Sequence, residues 1–253
     1  MKAGGEHWQW DSNVPFYVGV LPRHGGKGSD VKWFEAPNAF PGHTANAYEN
    51  TAGQIVFDLA LSDKNVFFWW PDANGHAPDP HTIRADMVRF TIDPYSTNKD
   101  LVKPEILSQH DCEFARIDDR YAMQSYNHSF FDVMIPSLGT DFHAIGPVMG
   151  GGFPPYNAFG HLNLNTRDVE VYFPGKTHLV QEPVFVPRKG SSAEADGWLM
   201  GLVNNYATMN SELHIIDTRD FTKAQAVVAL PIRLRAGLHG NWVAGQDLDL
   251  LST

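Results

Sequence analysis

No window of a dozen residues in this chain sustains a helical apolar stripe. Its apolar residues come instead in short β-branched and aromatic runs, each cut off by Gly, Pro, Asn or Asp. The runs are FYVGVLP (16–22), QIVFDLAL (54–61), NVFFWW (65–70), MVRFTID (87–93), VEVYF (169–173), EPVFVP (182–187), GWLMGLV (197–203), ELHIID (212–217) and AVVALP (226–231). A chain broken this often by turn formers must satisfy its backbone between strands, so the sequence predicts an all-β fold with little helix.

Three stretches carry a common pattern. VRFTIDPYSTNKDLV, HLNLNTRDVEVYF and ELHIIDTRDFTKAQAVVAL each give a strand, a turn led by Asp or Asn, and a second strand, the order of an antiparallel hairpin. Their turns, at Asp93, Asn165 and Asp217, are loosely spaced like propeller blades with loop insertions. No Gly/Ser linker divides the chain, and 253 residues at 43% hydrophobic content suffice for one core, so residues 1–253 read as one domain. PDANGHAPDPH (71–81) and GPVMGGGFPPYN (146–157) read as long loops, and Trp8 and Trp10 give the start an unusual packing vocabulary.

Charge and cysteine usage narrow the partners. A net charge of −10 without a Lys/Arg cluster excludes a nucleic-acid or anionic-membrane footprint and leaves a small molecule or a protein. The single Cys112 allows no internal disulfide, which fits a reducing, cytoplasmic setting. No stretch reaches the roughly 20 apolar residues of a membrane span, and the opening lacks a signal-peptide core.

Nucleophilic and phosphate chemistry find no motif. There is no GxSxG, Cys112 stands alone, and the glycines at 150–152 lead into Phe-Pro-Pro instead of a helix. The carboxylate pairs Asp118-Asp119 and Glu194/Asp196 read as solvated turn residues. Among twelve histidines none forms an HExxH motif, but two stand among small residues: His43 in FPGHTANAYEN and His239 in AGLHGNW. Glycine beside a histidine lets backbone approach a crowded centre. Single histidines far apart in sequence, each in such a context, are what a metal site assembled from separate strands would show; core packing is the alternative.

Five segments, in order along the chain, resemble the carotenoid cleavage oxygenase family, which includes stilbene-cleaving dioxygenases and a retinoid isomerase. They are VKWFEAPNAFPGHTANAYEN (31–50), EFARIDDRY (113–121), EPVFVPRKGSSAEADGWLMGLVNN (182–205), ELHIIDTRDF (212–221) and LPIRLRAGLHGNWV (230–243). The resemblance implies a seven-bladed β-propeller, here partial and beginning partway through the ring, with Fe(2+) held by four histidines. His43 and His239 match the third and fourth ligands, and the first two are expected upstream of Met1. Glu113 and Glu182 match glutamates that accept hydrogen bonds from the ligand imidazoles, which fixes tautomer and orientation.

The implied activity is oxidative cleavage of an apolar alkene by dioxygen into two carbonyl products. Gly42, where carotenoid-cleaving members more often carry an aromatic residue, leans towards stilbenes and phenylpropenoids over carotenoids. Two ligands are expected to hold iron far more weakly than four. The alternatives are an inactive propeller fragment with a binding role or no function, and a polyene isomerase using the same iron site.

Overall fold

A computed structural model of the chain describes residues 9–101, 103–149 and 155–249. Trp8 and the triple glycine at 150–152 lie outside the described residues. The chain divides into two compact units, residues 1–113 with 123–125, and residues 114–122 with 126–253.

The first unit opens with an antiparallel pair, β1 (Phe16–Val20) and β2 (Lys32–Ala36). A four-stranded antiparallel sheet follows in the order β3 (Phe40–Glu49), β4 (Ile55–Ser62), β5 (Asp86–Ile92) and β6 (Glu105–Ser108). Alternate apolar residues of these strands meet in one cluster of Phe16, Phe34, Phe57, Leu59, Val88 and Phe90, with the Phe57 and Phe90 rings stacked at 5.2 Å. The β3–β4 turn is closed by Asn50, whose Oδ1 accepts from the backbone N–H of Ala52 and Gln54. Opposite each other on β4 and β5, the fully buried Asp58 takes a two-pronged bond from Arg89 at 2.8 and 2.7 Å. Such a fork satisfies a carboxylate that burial would otherwise penalise.

β7 (Asp111–Arg116) carries the chain from the first unit into the second. It is the last strand of a sheet ordered β10 (Val169–Tyr172), β9 (Ala158–Asn163), β8 (His128–Met134), β7. The remaining sheet has five strands: β11 (His178–Val180), β12 (Val184–Pro187), β13 (Gly197–Asn205), β14 (Asn210–Asp217) and β15 (Ala224–Ala229). β11 and β12 both pair with β13, which pairs with β14, and β14 with β15. Phe130, Phe159, Phe185, Leu199, Ile216 and Phe221 are buried together in this unit, and Phe130 and Phe185 stack at 5.4 Å. Among the described residues α-helix is confined to α1 (Phe142–Met149) and α2 (Gly245–Asp249), with single 3-10 turns elsewhere.

Four expectations from the sequence need correction. NVFFWW is not a strand: Asn65 accepts from the Phe67 N–H and donates to the Trp70 carbonyl, which winds the run into a turn whose rings pack on one another. The strand after the Asp93 turn is β6, further along; residues 99–101 instead bond to Glu35 of β2, at 2.9 and 2.6 Å. The loop expected from residue 146 is preceded and partly occupied by α1, which seats Ile145 against Leu179 and Tyr206. Asp118, Glu194 and Asp196 are not simply solvated. Asp118 is 1% exposed and accepts from Arg120 and the Ala195 N–H, Glu194 accepts from Asn127 and His128, and Asp196 accepts from Arg188 and Arg219. In each case a loop with few backbone partners takes a carboxylate as its acceptor.

Candidate metal centre

β3 does not run smoothly past His43. Its register against β4 shifts between Pro41 and Thr44 and again between Thr44 and Asn46, so the histidine rides on a bulged stretch. Bulges re-aim a side chain that regular pleating would fix. The His43 ring meets Glu113 of β7: Nδ1 lies 2.6 Å from Oε2, and the His43 backbone N–H donates to Oε1 at 3.2 Å. In the tautomer that donates to Glu113, Nδ1 carries the proton and the lone pair belongs to Nε2. Gly42 is what permits this approach, since a Cβ there would overlap Glu113 Oε1 and Cδ and crowd the Ala60 carbonyl at 3.2 Å. Three residues on, the buried Asn46 accepts from the Met123 N–H and donates to the Gln124 carbonyl, both at 3.0 Å, tying β3 to that loop.

The second unit repeats the chemistry on other supports. His239 Nδ1 lies 3.1 Å from Glu182 Oε2, and the same oxygen accepts the Gly240 N–H at 3.0 Å. Glu182 sits in the break between β11 and β12, with a side chain only 6% exposed. Residue 239 lies in an irregular segment after β15. That segment is pinned by the Gly237 N–H on Gln181 Oε1 at 2.8 Å and the Leu234 N–H on Ser211 Oγ at 2.8 Å. Arg116 of β7 donates to Glu182 Oε1 at 3.2 Å and to Asn241 Oδ1 at 3.0 Å. The ring of Phe114, two residues earlier on β7, stands edge-on to the His239 imidazole at 6.0 Å, and its backbone is left-handed, with φ +54°. A bulky residue held there marks local strain that the surrounding structure maintains.

Of the two glutamates singled out in the sequence, Glu113 lies against His43 and Glu182 against His239. Sequence reasoning missed Arg116 and Phe114, which sit in the quoted EFARIDDRY stretch but carry no motif of their own. The glycine argument holds at Gly42 and not at Gly240, where a Cβ would meet open space. Burial, then the charges of Glu113 and Asp111, push the Cys112 thiol well above its usual range, which removes it as a nucleophile.

Other histidines serve the sheets. His128 Nδ1 and His161 Nε2 lie 3.0 Å apart on neighbouring strands; burial and then the His128 charge pull His161 down from 6.5 to about 3. His214 links the Tyr172 hydroxyl and Glu212, each at 2.7 Å, and burial pushes Tyr172 up to about 12. Among the described residues no group of three or more His, Cys, Asp or Glu side chains is arranged to hold a metal.

The mostly-β chain, with two histidines each held against a glutamate, matches structures that are β-propellers of a metalloenzyme family. Residues 1–244 match the retinal pigment epithelial membrane protein family, and the chain belongs to that family, the carotenoid oxygenases. It is 62% identical over 248 residues to resveratrol cleavage oxygenase 1 of Aspergillus fumigatus, covering 98% of this chain and 50% of the relative. The crystal structure of Pseudomonas brassicacearum lignostilbene dioxygenase matches with a TM-score of 0.89 and 38% identity, covering 96% of this chain and 50% of that one. The cobalt-substituted Synechocystis apocarotenoid oxygenase matches with a TM-score of 0.74 and 25% identity, covering 93% of this chain and 45% of that one. The chain spans about half the length of the relatives it matches.

Proposed function

We propose that this chain is the C-terminal half of a non-heme iron(II) dioxygenase that cleaves the interphenyl double bond of a stilbene or phenylpropenoid, with His43 and His239 as two of four iron ligands. The observation that carries the reading is the tethering itself. Each of the two histidines donates a hydrogen bond from Nδ1–H to a glutamate, which leaves Nε2 as the coordinating nitrogen and fixes the ring plane. Neutral imidazoles leave a ferrous ion its full charge, so the donor set fits the metal. When bound, the iron supplies the redox chemistry by which both atoms of dioxygen are added across the alkene, the C=C bond giving way to two C=O bonds.

This chain's own part is to hold two ligand nitrogens in a fixed direction, with Glu113 and Glu182 as the acceptors that prevent the rings from flipping. The other two ligands belong to the part of the relatives that this chain does not cover. The stilbene preference rests on Gly42 before the ligand and on the 62% identity to a resveratrol cleavage oxygenase.

The test is a version extended to the relatives' full length, measured for iron stoichiometry and for aldehydes from resveratrol. One iron per chain and two aldehydes are expected, both lost in His43→Ala and His239→Ala. An extended protein that holds no iron, or holds it equally well without these histidines, overturns the reading.

A further inference from the structure

The residues that follow His239 are held by one cation. Arg116 Nη1 donates to Glu182 Oε1 at 3.2 Å and to the Gly240 carbonyl at 3.4 Å, while Nη2 donates to Asn241 Oδ1 at 3.0 Å. The arginine side chain is 19% exposed and the glutamate 6%. The two oxygens of Glu182 are thereby divided: Oε1 faces the cation, and Oε2 takes the His239 ring and the Gly240 N–H. Residues 235–244 belong to no helix or strand, so no ladder of backbone bonds holds the His239 stretch in place.

From this geometry we infer that Arg116 is the positioning residue of His239: one planar guanidinium holds the Glu182 side chain in its rotamer through Oε1, and clamps the backbone on the C-terminal side of the histidine. Arginine suits the task and lysine does not, because three acceptors on two chain segments lie around one rigid fork of donors. The clamp stands on its own; its consequence for a metal rests on the iron reading above.

The test compares two amides of the 253-residue chain that report on the two glutamates. The Gly240 N–H bonds Glu182 and the His43 N–H bonds Glu113. In Arg116→Gln, hydrogen exchange at Gly240 should rise at least tenfold while exchange at His43 stays unchanged, and Arg116→Lys should recover only part of the protection. Should Arg116→Gln fail to fold, Arg116→Lys alone carries the comparison, with a smaller rise confined to Gly240. Unchanged Gly240 exchange in both variants, or an equal rise at His43, overturns the proposal. In the extended protein, Arg116→Gln should weaken iron binding about 10- to 100-fold. If that protein binds no iron at all, the iron reading fails, and the exchange result still decides the clamp.

Discussion

The two histidine–glutamate pairs make nearly the same bonds from opposite kinds of scaffold. His43 and Glu113 both sit on strands, so the ladders of β3 and β7 set their positions and the pair needs only room, which Gly42 provides. His239 sits on an irregular segment, and what the first pair gets from a ladder the second gets from side chains: Gln181, Glu182, Ser211 and Arg116. Where backbone bonds are in place a histidine is sensitive to added bulk; where they are not, it is sensitive to lost charge.

Charge should give the largest effect. Glu182→Gln leaves the Arg116 guanidinium without its carboxylate in a mostly buried setting, and about 3 kcal/mol of unfolding free energy should be lost in urea titration. Glu113→Gln, with no such change imposed on Arg116, should lose about 1 kcal/mol. Equal losses would break the distinction between the two supports. Bulk comes next. Gly42→Ala should cost about 2 kcal/mol because Glu113 must move, while Gly240→Ala, with open space around its Cβ, should be near neutral. Equal melting temperatures for the two variants would contradict the crowding argument.

Acid acts on the imidazole pair of the sheets. His161 is held neutral when folded, down to about 3, against 6.5 when unfolded. Its stabilising effect is therefore complete above pH 6.5 and declines as pH falls from 6.5 towards 3, by about 2 kcal/mol at pH 5. His161→Phe should flatten that part of the stability–pH curve, and a curve with unchanged slope in the variant would remove His161 as its source. A local effect is expected from Asn46→Ala. Loss of the bonds to Met123 and Gln124 should cost about 1 kcal/mol and loosen the loop without moving His239, as side-chain NMR shifts of the two histidines would register.

What the sequence disclosed follows the range of the forces involved. Strands such as β13 and β14 were legible because alternation and flanking turn residues are local signals. NVFFWW misled because its apolar run resembles a strand while a single polar side chain, Asn65, decides its conformation. α1 escaped notice because eight residues containing Pro147 give too short a periodicity to register. At the candidate site, His43, His239 and both glutamates came from ordered segments shared with a family. Arg116 did not, since its meaning depends on Glu182 and Asn241, far away in the chain. A left-handed phenylalanine at 114 is equally invisible, because nothing in its residue type announces that backbone.

β13 pairs with β11 and β12 in turn along one edge and with β14 along the other. Gln181 and Glu182 occupy the gap where its partner changes, and the Gln181 N–H still bonds the Leu202 carbonyl of β13. The most irregular segment of this unit is therefore moored to its most fully paired strand. Release of the segment by unravelling from the chain end is opposed, because freeing its anchors through β13 would require opening three strand pairings at once. Freeing His239 altogether therefore means opening part of a sheet as well as breaking the side-chain contacts of its own loop.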